Sequence, residues 1–214
     1  MPSVHTRGLG NRKRRNSETI LHFSRGADLF GPTQVSHCVY QLRAGKVRLS
    51  RDREAILDHL TRGDFLGEEC LLAPSQRSQI AHCLSPVAVS AFRTSQLLDR
   101  VQQDRGFARR LLKNLALRLN RCGHTIRDFV AEPADRRLAR LLWRLTPTAV
   151  KPASGWRRLR FNLSNAEFAR TVGTTRSRIS HFMRDFMQQG WLERRGREIW
   201  IRREGLADFL RSNS

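Results

Sequence analysis

The chain has 214 residues, 39% hydrophobic and 28% charged, enough to bury a core without disulfide staples as one large domain or two small ones. It has no run of about 18 apolar residues, and its first residues, MPSVHTRGLGNRKRR, are polar and basic; these features argue against a membrane-spanning helix and a secretory signal. A formal net charge of +21 calls for a polyanionic partner rather than for any particular fold.

Residues 134–214 carry 18 basic and 7 acidic side chains, against 22 and 12 in the first 133. The C-terminal third is therefore the denser positive field. Cysteines stand at 38, 70, 83 and 122, with no C-x-x-C pair. Without an export signal they are expected to be free thiols in a reducing cytoplasm.

Residues 1–17 read as a basic, disordered arm, with Arg12-Lys13-Arg14-Arg15 as its charge cluster. From 18 to 95 the texture is short strands and turns. Val39–Leu42 runs through Arg43-Ala44-Gly45 into Lys46-Val47-Arg48-Leu49-Ser50, whose alternation predicts a half-buried hairpin strand. Ile56, Leu57 and Leu60 precede the turn Arg62-Gly63-Asp64. Another strand-like stretch, Ala81 to Phe92, is broken at Ser85-Pro86. Regular short strands punctuated by glycine predict a small β-roll of jelly-roll type.

From 96 to 133 the period changes. Leu112, Leu115, Leu119, Cys122, Ile126 and Phe129 are spaced 3, 4, 3, 4 and 3, the a/d seam of a two-helix dimer. Leu111, Leu117 and Val130 lie off that stripe and are expected to pack on the chain's own roll. Pro133 marks the helix end or a kink.

Residues 134–214 read as a second, mostly helical unit. Leu138, Leu141, Leu142 and Leu145 share one helix face, 147–155 is a loop, and Trp156 to Leu163 alternates as a strand. Ser164 followed by Glu167 is a capping box. Gly173 permits a tight left-handed corner, and Thr174 or Thr175 can cap the next helix. At about 100° per residue, Ile179, Phe182, Met183 and Phe186 face inward. Arg176, Ser177, Ser180, His181 and Arg184 share the opposite face, a set of donors suited to phosphates and to guanine N7 and O6. The turn Arg194-Arg195-Gly196-Arg197 adds a basic wing. The expected fold class is α+β: a β-roll, a long dimerisation helix and a winged helix-turn-helix that binds double-stranded DNA.

Four segments together resemble the bacterial CRP/FNR family of transcription regulators. They are Gly45–Leu49, Gly63-Asp64-Phe65-Leu66-Gly67-Glu68, Arg137–Leu142 and Val172-Gly173-Thr174-Thr175-Arg176-Ser177-Arg178-Ile179-Ser180. The resemblance spans about residues 18–212 and implies the same order of domains. It implies base readout by Arg176, Ser177 and His181, with Ser180 beside them. Many members carry Glu and Arg where this chain has Ser177 and His181, so the usual half-site does not transfer. Ser164 and Asn165 become expected phosphate contacts, joined by Thr174, Thr175, Arg178, Arg184 and Arg195. An activator would also need RNA polymerase as a partner.

The family's phosphate-binding cassette matches at Gly67, Glu68, Arg77 and Ser78, where Glu68 would accept from a ribose hydroxyl and Arg77 and Ser78 would donate to the phosphate of cAMP or another cyclic nucleotide. The loop is about one residue short, Gln79 replaces a small residue, and Cys122 and Gly123 stand where a polar pair would meet adenine. The other outcome is a retained roll, with no effector, in which Glu68 and Arg77 pair with each other.

Other sensors and chemistries find less support. An iron–sulfur cluster would need cysteines before Cys38. A haem would need an axial ligand, and His82 and Cys83 are adjacent strand residues that point to opposite faces. A redox or haem module acting through protein contacts is the competing reading, but the donor-only face of the second helix favours DNA. No phosphate loop, nucleophile elbow or metal motif supports an enzyme.

Overall fold

The computed structural model describes residues 19–32, 37–51, 55–72, 77–147 and 154–212. The expected basic arm, 1–17, lies outside the described residues.

Eight strands form the N-terminal unit: β1 (Thr19–Phe23), β2 (Asp28–Phe30), β3 (Cys38–Ala44), β4 (Val47–Ser50), β5 (Ile56–Leu60), β6 (Phe65–Leu66), β7 (Ile80–Cys83) and β8 (Val87–Arg93). They make two antiparallel sheets, ordered β1-β8-β3-β6 and β2-β7-β4-β5. Leu42, Val47, Leu49, Leu60, Leu66 and Val89 are buried between them.

β4 is a hairpin strand, as expected, but its hairpin partner is β5 rather than β3. Strands β3 and β4 are consecutive but lie in different sheets, β3 against β8 and β6, β4 against β5 and β7. Alternation identifies a strand and its inner face. It says nothing of which strand will complete its backbone hydrogen bonds.

Helix α1 (Thr94–Gln103) and helix α2 (Arg105–Ala131) replace the single helix expected over 96–133. Asp104 separates them; it ends α1 and caps α2 by accepting the Phe107 N–H at 2.9 Å. Phe107 packs edge-on to Phe65 at 5.7 Å and beside Phe92 at 5.6 Å. This aromatic cluster, with Leu97 and Leu111, fastens the start of α2 to the roll.

Pro133 follows the end of α2 and occupies the N-cap position of α3 (Ala134–Leu145), with no side-chain cap. The rest is β9 (Trp156–Arg158), α4 (Asn165–Val172), α5 (Arg176–Gln188), β10 (Leu192–Arg195), β11 (Glu198–Arg202) and α6 (Arg203–Arg211). Leu138, Leu142, Phe168, Ile179, Met183 and Ile201 form its core. The strand expected over Trp156 to Leu163 spans only Trp156–Arg158, with one further backbone bond to β11 from Leu159 N–H to Ile199 C=O at 2.9 Å. Leu159, Phe161 and Leu163 are buried as the alternation predicts, but Arg160 N–H turns away to bond Leu145 C=O at 3.0 Å.

Candidate nucleic-acid interface

Helices α4 and α5 meet at a corner built by local chemistry. Ser164 Oγ accepts the Glu167 N–H at 3.2 Å, and Glu167 Oε2 accepts the Ser164 N–H at 2.9 Å, which closes the capping box. Gly173 ends α4 in the left-handed region, φ 70° and ψ 53°. A Cβ on it would lie 2.4 Å from Cε1 of Phe129. The backbone angle therefore favours glycine, and any side chain there would also have to displace the Phe129 ring. Thr175, not Thr174, caps α5, its Oγ1 accepting the Arg178 N–H at 3.3 Å.

Ile179, Met183 and Phe186 are buried, while Arg176, Ser177, Arg178, His181 and Arg184 are exposed. The opposed faces expected of α5 are thus present. Asp185 qualifies the donor set, since its Oδ2 is 3.4 Å from His181 Nε2. Thr174 does not fit its expected phosphate role, because its Oγ1 is buried and its N–H bonds Ala169 C=O at 3.0 Å, inside the corner.

Asn165 and Ser180 belong to a relay. Arg194 Nη2 donates to Asn165 Oδ1 at 2.8 Å, Asn165 Nδ2 donates to Ser180 Oγ at 2.9 Å, and that hydroxyl donates to Arg176 C=O at 3.0 Å. The relay joins β10, α4 and α5, so Arg194, which the sequence placed in the basic wing but not among the expected DNA contacts, stands over the same groove as Arg176 and Arg184. Arg195 lies along the wing, 2.9 Å from Glu193 Oε2 and with its guanidinium 4.5 Å above the Trp200 ring.

The cassette of the roll is engaged by the protein itself. Gly67, in the left-handed region (φ 79°), starts a single 3-10 turn over Glu68–Leu71. Arg77 is 2% exposed. Its Nη2 donates to Cys38 C=O at 2.6 Å, its guanidinium stacks 4.1 Å from the Phe30 ring, and a Cβ on Gly67 would lie 2.2 Å from its Nη1. Ser78 donates through Oγ to Glu69 Oε2 at 2.7 Å.

The pairing of Glu68 with Arg77 is corrected: Glu68 Oε1 accepts from Arg118 Nη1 of α2 at 2.5 Å, and Glu69 Oε1 is the carboxylate 4.0 Å from Arg77. Each of the three side chains that would hold a cyclic nucleotide thus has a partner within the protein, although Glu68 Oε2 is buried without a hydrogen bond. His82 and Cys83 face opposite ways, as expected. His82 Nδ1 is 2.7 Å from Asp28 Oδ1, and Cys83 is buried, which pushes its thiol up to about 11.

Comparison with known proteins fits this division of the chain. Residues 20–104 match the family model of the cyclic nucleotide-binding domain, and residues 136–209 match that of the Crp-like helix-turn-helix domain. The chain belongs to the CRP/FNR family of transcription regulators. One relative, in Mycobacterium tuberculosis, is named a CRP-like cAMP-activated global transcriptional regulator; it is 25% identical over 185 residues, 85% of this chain and 83% of its own length. The fold is shared with FixK2 from Bradyrhizobium japonicum, TM-score 0.74 and 23% identity, over 92% of this chain and 100% of that one. It is also shared with a CRP/FNR regulator of Thermus thermophilus, TM-score 0.73 and 20% identity, over the same 92% and 100%. Members of the family are regulators rather than enzymes, and no described helix is long and apolar enough to cross a membrane.

In this CRP/FNR regulator, α2 presents the apolar stripe to solvent. Leu112 is 66% exposed, Leu119 75% and Ile126 66%, and Cys122 is exposed beside them. Leu115 leans instead toward the roll, against the cluster of Phe107 and Leu111. Phe129 is shared: its ring also meets Gly173, and the Arg137 guanidinium stands 4.9 Å above it. Of the residues expected to pack on the roll, Leu111 does so, whereas Leu117 and Val130 are exposed and extend the apolar surface.

Proposed function

We propose that this regulator binds DNA as a homodimer and reads a pseudo-palindromic site without a cyclic nucleotide. The observation that carries the DNA reading is the exposed face of α5, with Arg176 at its first turn and a fully apolar opposite face. Recognition helices of this kind contact base edges through their N-terminal residues, and a dimer sets two of them about 34 Å apart in successive major grooves. Two copies of α2 packed through the exposed stripe would supply that symmetry. Ser177 and His181 support an operator that differs from the family's usual half-site.

Arg176→Ala is expected to weaken binding to a selected operator by about 10- to 100-fold, the worth of one bidentate base contact. Binding to a random duplex should fall far less. Parallel titrations at one salt concentration check this, and an equal loss on both duplexes would remove Arg176 from base readout.

The nucleotide-free reading is supported by the Glu68–Arg118 pair and by the burial of Arg77. Arg118 from α2 supplies the charge that Glu68 needs and ties the helix to the roll, a link that a ligand would otherwise have to make. Neither cAMP nor cGMP in excess is expected to shift the thermal midpoint. A nucleotide at 100 times its dissociation constant would stabilise by about 2.7 kcal/mol, and such a shift, lost in Arg77→Ala, would instead make this a cAMP-type sensor.

A further inference from the structure

The outer face of the second sheet makes a contact that DNA reading does not itself require. In β4, Val47 and Leu49 are buried in the roll, so Arg48 points outward, opposite His59 of β5. Both meet the C-terminal unit. Arg48 Nη1 donates to Glu167 Oε1 at 2.8 Å, and the His59 ring lies 5.1 Å from that of Phe161. Lys46 Nζ donates to the Arg160 carbonyl, and Leu84 packs on the C-terminal core.

Glu167 thereby serves two partners. Its Oε2 accepts the N–H and the hydroxyl of Ser164, while its Oε1 holds Arg48. Burial raises the carboxyl's affinity for a proton, but the bonds from Ser164 and Arg48 outweigh it and hold Glu167 below the usual range. It is the sole carboxylate of α4 and stands in its first turn.

We propose that Arg48 is a positioning residue for DNA recognition, acting through Glu167 to fix the start of α4 on the roll and to balance the carboxylate beside the phosphate-facing end of that helix. The inference rests on the DNA-binding reading above. In the docked arrangement Arg176, Ser177, His181 and Arg184 all stay exposed, so docking leaves the reading face open. Loss of Arg48 removes one of the contacts that orient α4 and leaves an unbalanced negative charge next to Ser164 and Asn165. Both effects weaken binding to a polyanion.

The test uses a duplex that the wild-type protein selects from a randomised pool. Affinity for it and for a random duplex is measured, with thermal unfolding, for Arg48→Ala, Arg48→Lys and the double variant Arg48→Ala with Glu167→Gln. Arg48→Ala should bind the selected duplex about tenfold more weakly, the size of one charge-assisted bond. Its thermal midpoint should stay within a few degrees of the wild type, as befits a partly exposed ion pair. Arg48→Lys should recover part of the affinity. So should the double variant, because Gln can still close the capping box without the charge.

Wild-type affinity in Arg48→Ala overturns the proposal. A loss that neither partner change relieves, or one matched by an equal drop in stability, reduces Arg48 to a structural role and also overturns it. A wild-type protein that selects no duplex overturns the DNA-binding reading and this inference with it.

Discussion

A Leu119→Glu, Ile126→Glu variant is expected to be a folded monomer whose affinity for a selected operator has fallen by about 10²- to 10⁴-fold. Neither side chain belongs to a described core, so the roll and the C-terminal unit keep their packing. In a two-helix seam, however, four carboxylates would be desolvated without partners, a cost that such an interface cannot absorb. The affinity loss follows from the tether. Once one reading head is bound, the second searches its half-site at the effective concentration set by the dimer, and the monomer forfeits that gain. Sedimentation gives the mass, circular dichroism the fold and operator titration the affinity. A variant that remains dimeric would place the interface elsewhere, and a monomer with full affinity would show that operator binding does not depend on the dimer.

The second large effect is acid-dependent and centres on His59. Its Nε2 is buried against the C-terminal unit with no hydrogen-bond partner. Burial is the main cause that lowers its pKa from 6.5 to about 4, with Arg48 adding to it and Asp58 and Glu167 opposing it. The unfolded chain therefore takes up this proton first as the pH falls. Stability should be highest above pH 6.5, decline between 6.5 and 4, and level off below, for a total of about 3 kcal/mol at most. His59→Phe keeps a ring beside Phe161 and removes the titration. Its thermal midpoint should fall less than that of the wild type over this window, although the carboxylates add their own losses to both proteins at lower pH. Identical pH profiles would mean that His59 is solvated in the folded protein.

The helix-turn-helix was legible because its determinants are local. Ser164 and Glu167 sit three residues apart, Gly173 must be left-handed, and the stripe from Ile179 to Phe186 repeats with the helix. Thr174 and Thr175 were harder to separate, since either spacing suits a cap and only the corner's geometry buries one hydroxyl. The cassette illustrates the opposite case. Glu68 and Arg118 are separated by 50 positions, and their bond depends on how α2 leans on the roll, which no periodicity encodes. The same holds for Arg48 and Glu167. Strand alternation found the inner faces of β3 and β4 but not their partners. The stripe on α2 concealed that Leu115 and Phe129 also serve contacts within the chain.

The joint between Pro133 and Ala134 looks like a natural place to graft a different reading head onto the roll. It is not a free swivel. Arg137 donates to the Val172 and Gly173 carbonyls at 3.0 and 3.3 Å while standing over Phe129, and Arg140 lies 3.4 Å from Asp128. A chimaera that imports residues 134–212 alone would therefore keep sockets whose plugs have gone. Phe129 and Asp128 on one side, and Arg48 and Lys46 on the other, would have to travel with the graft.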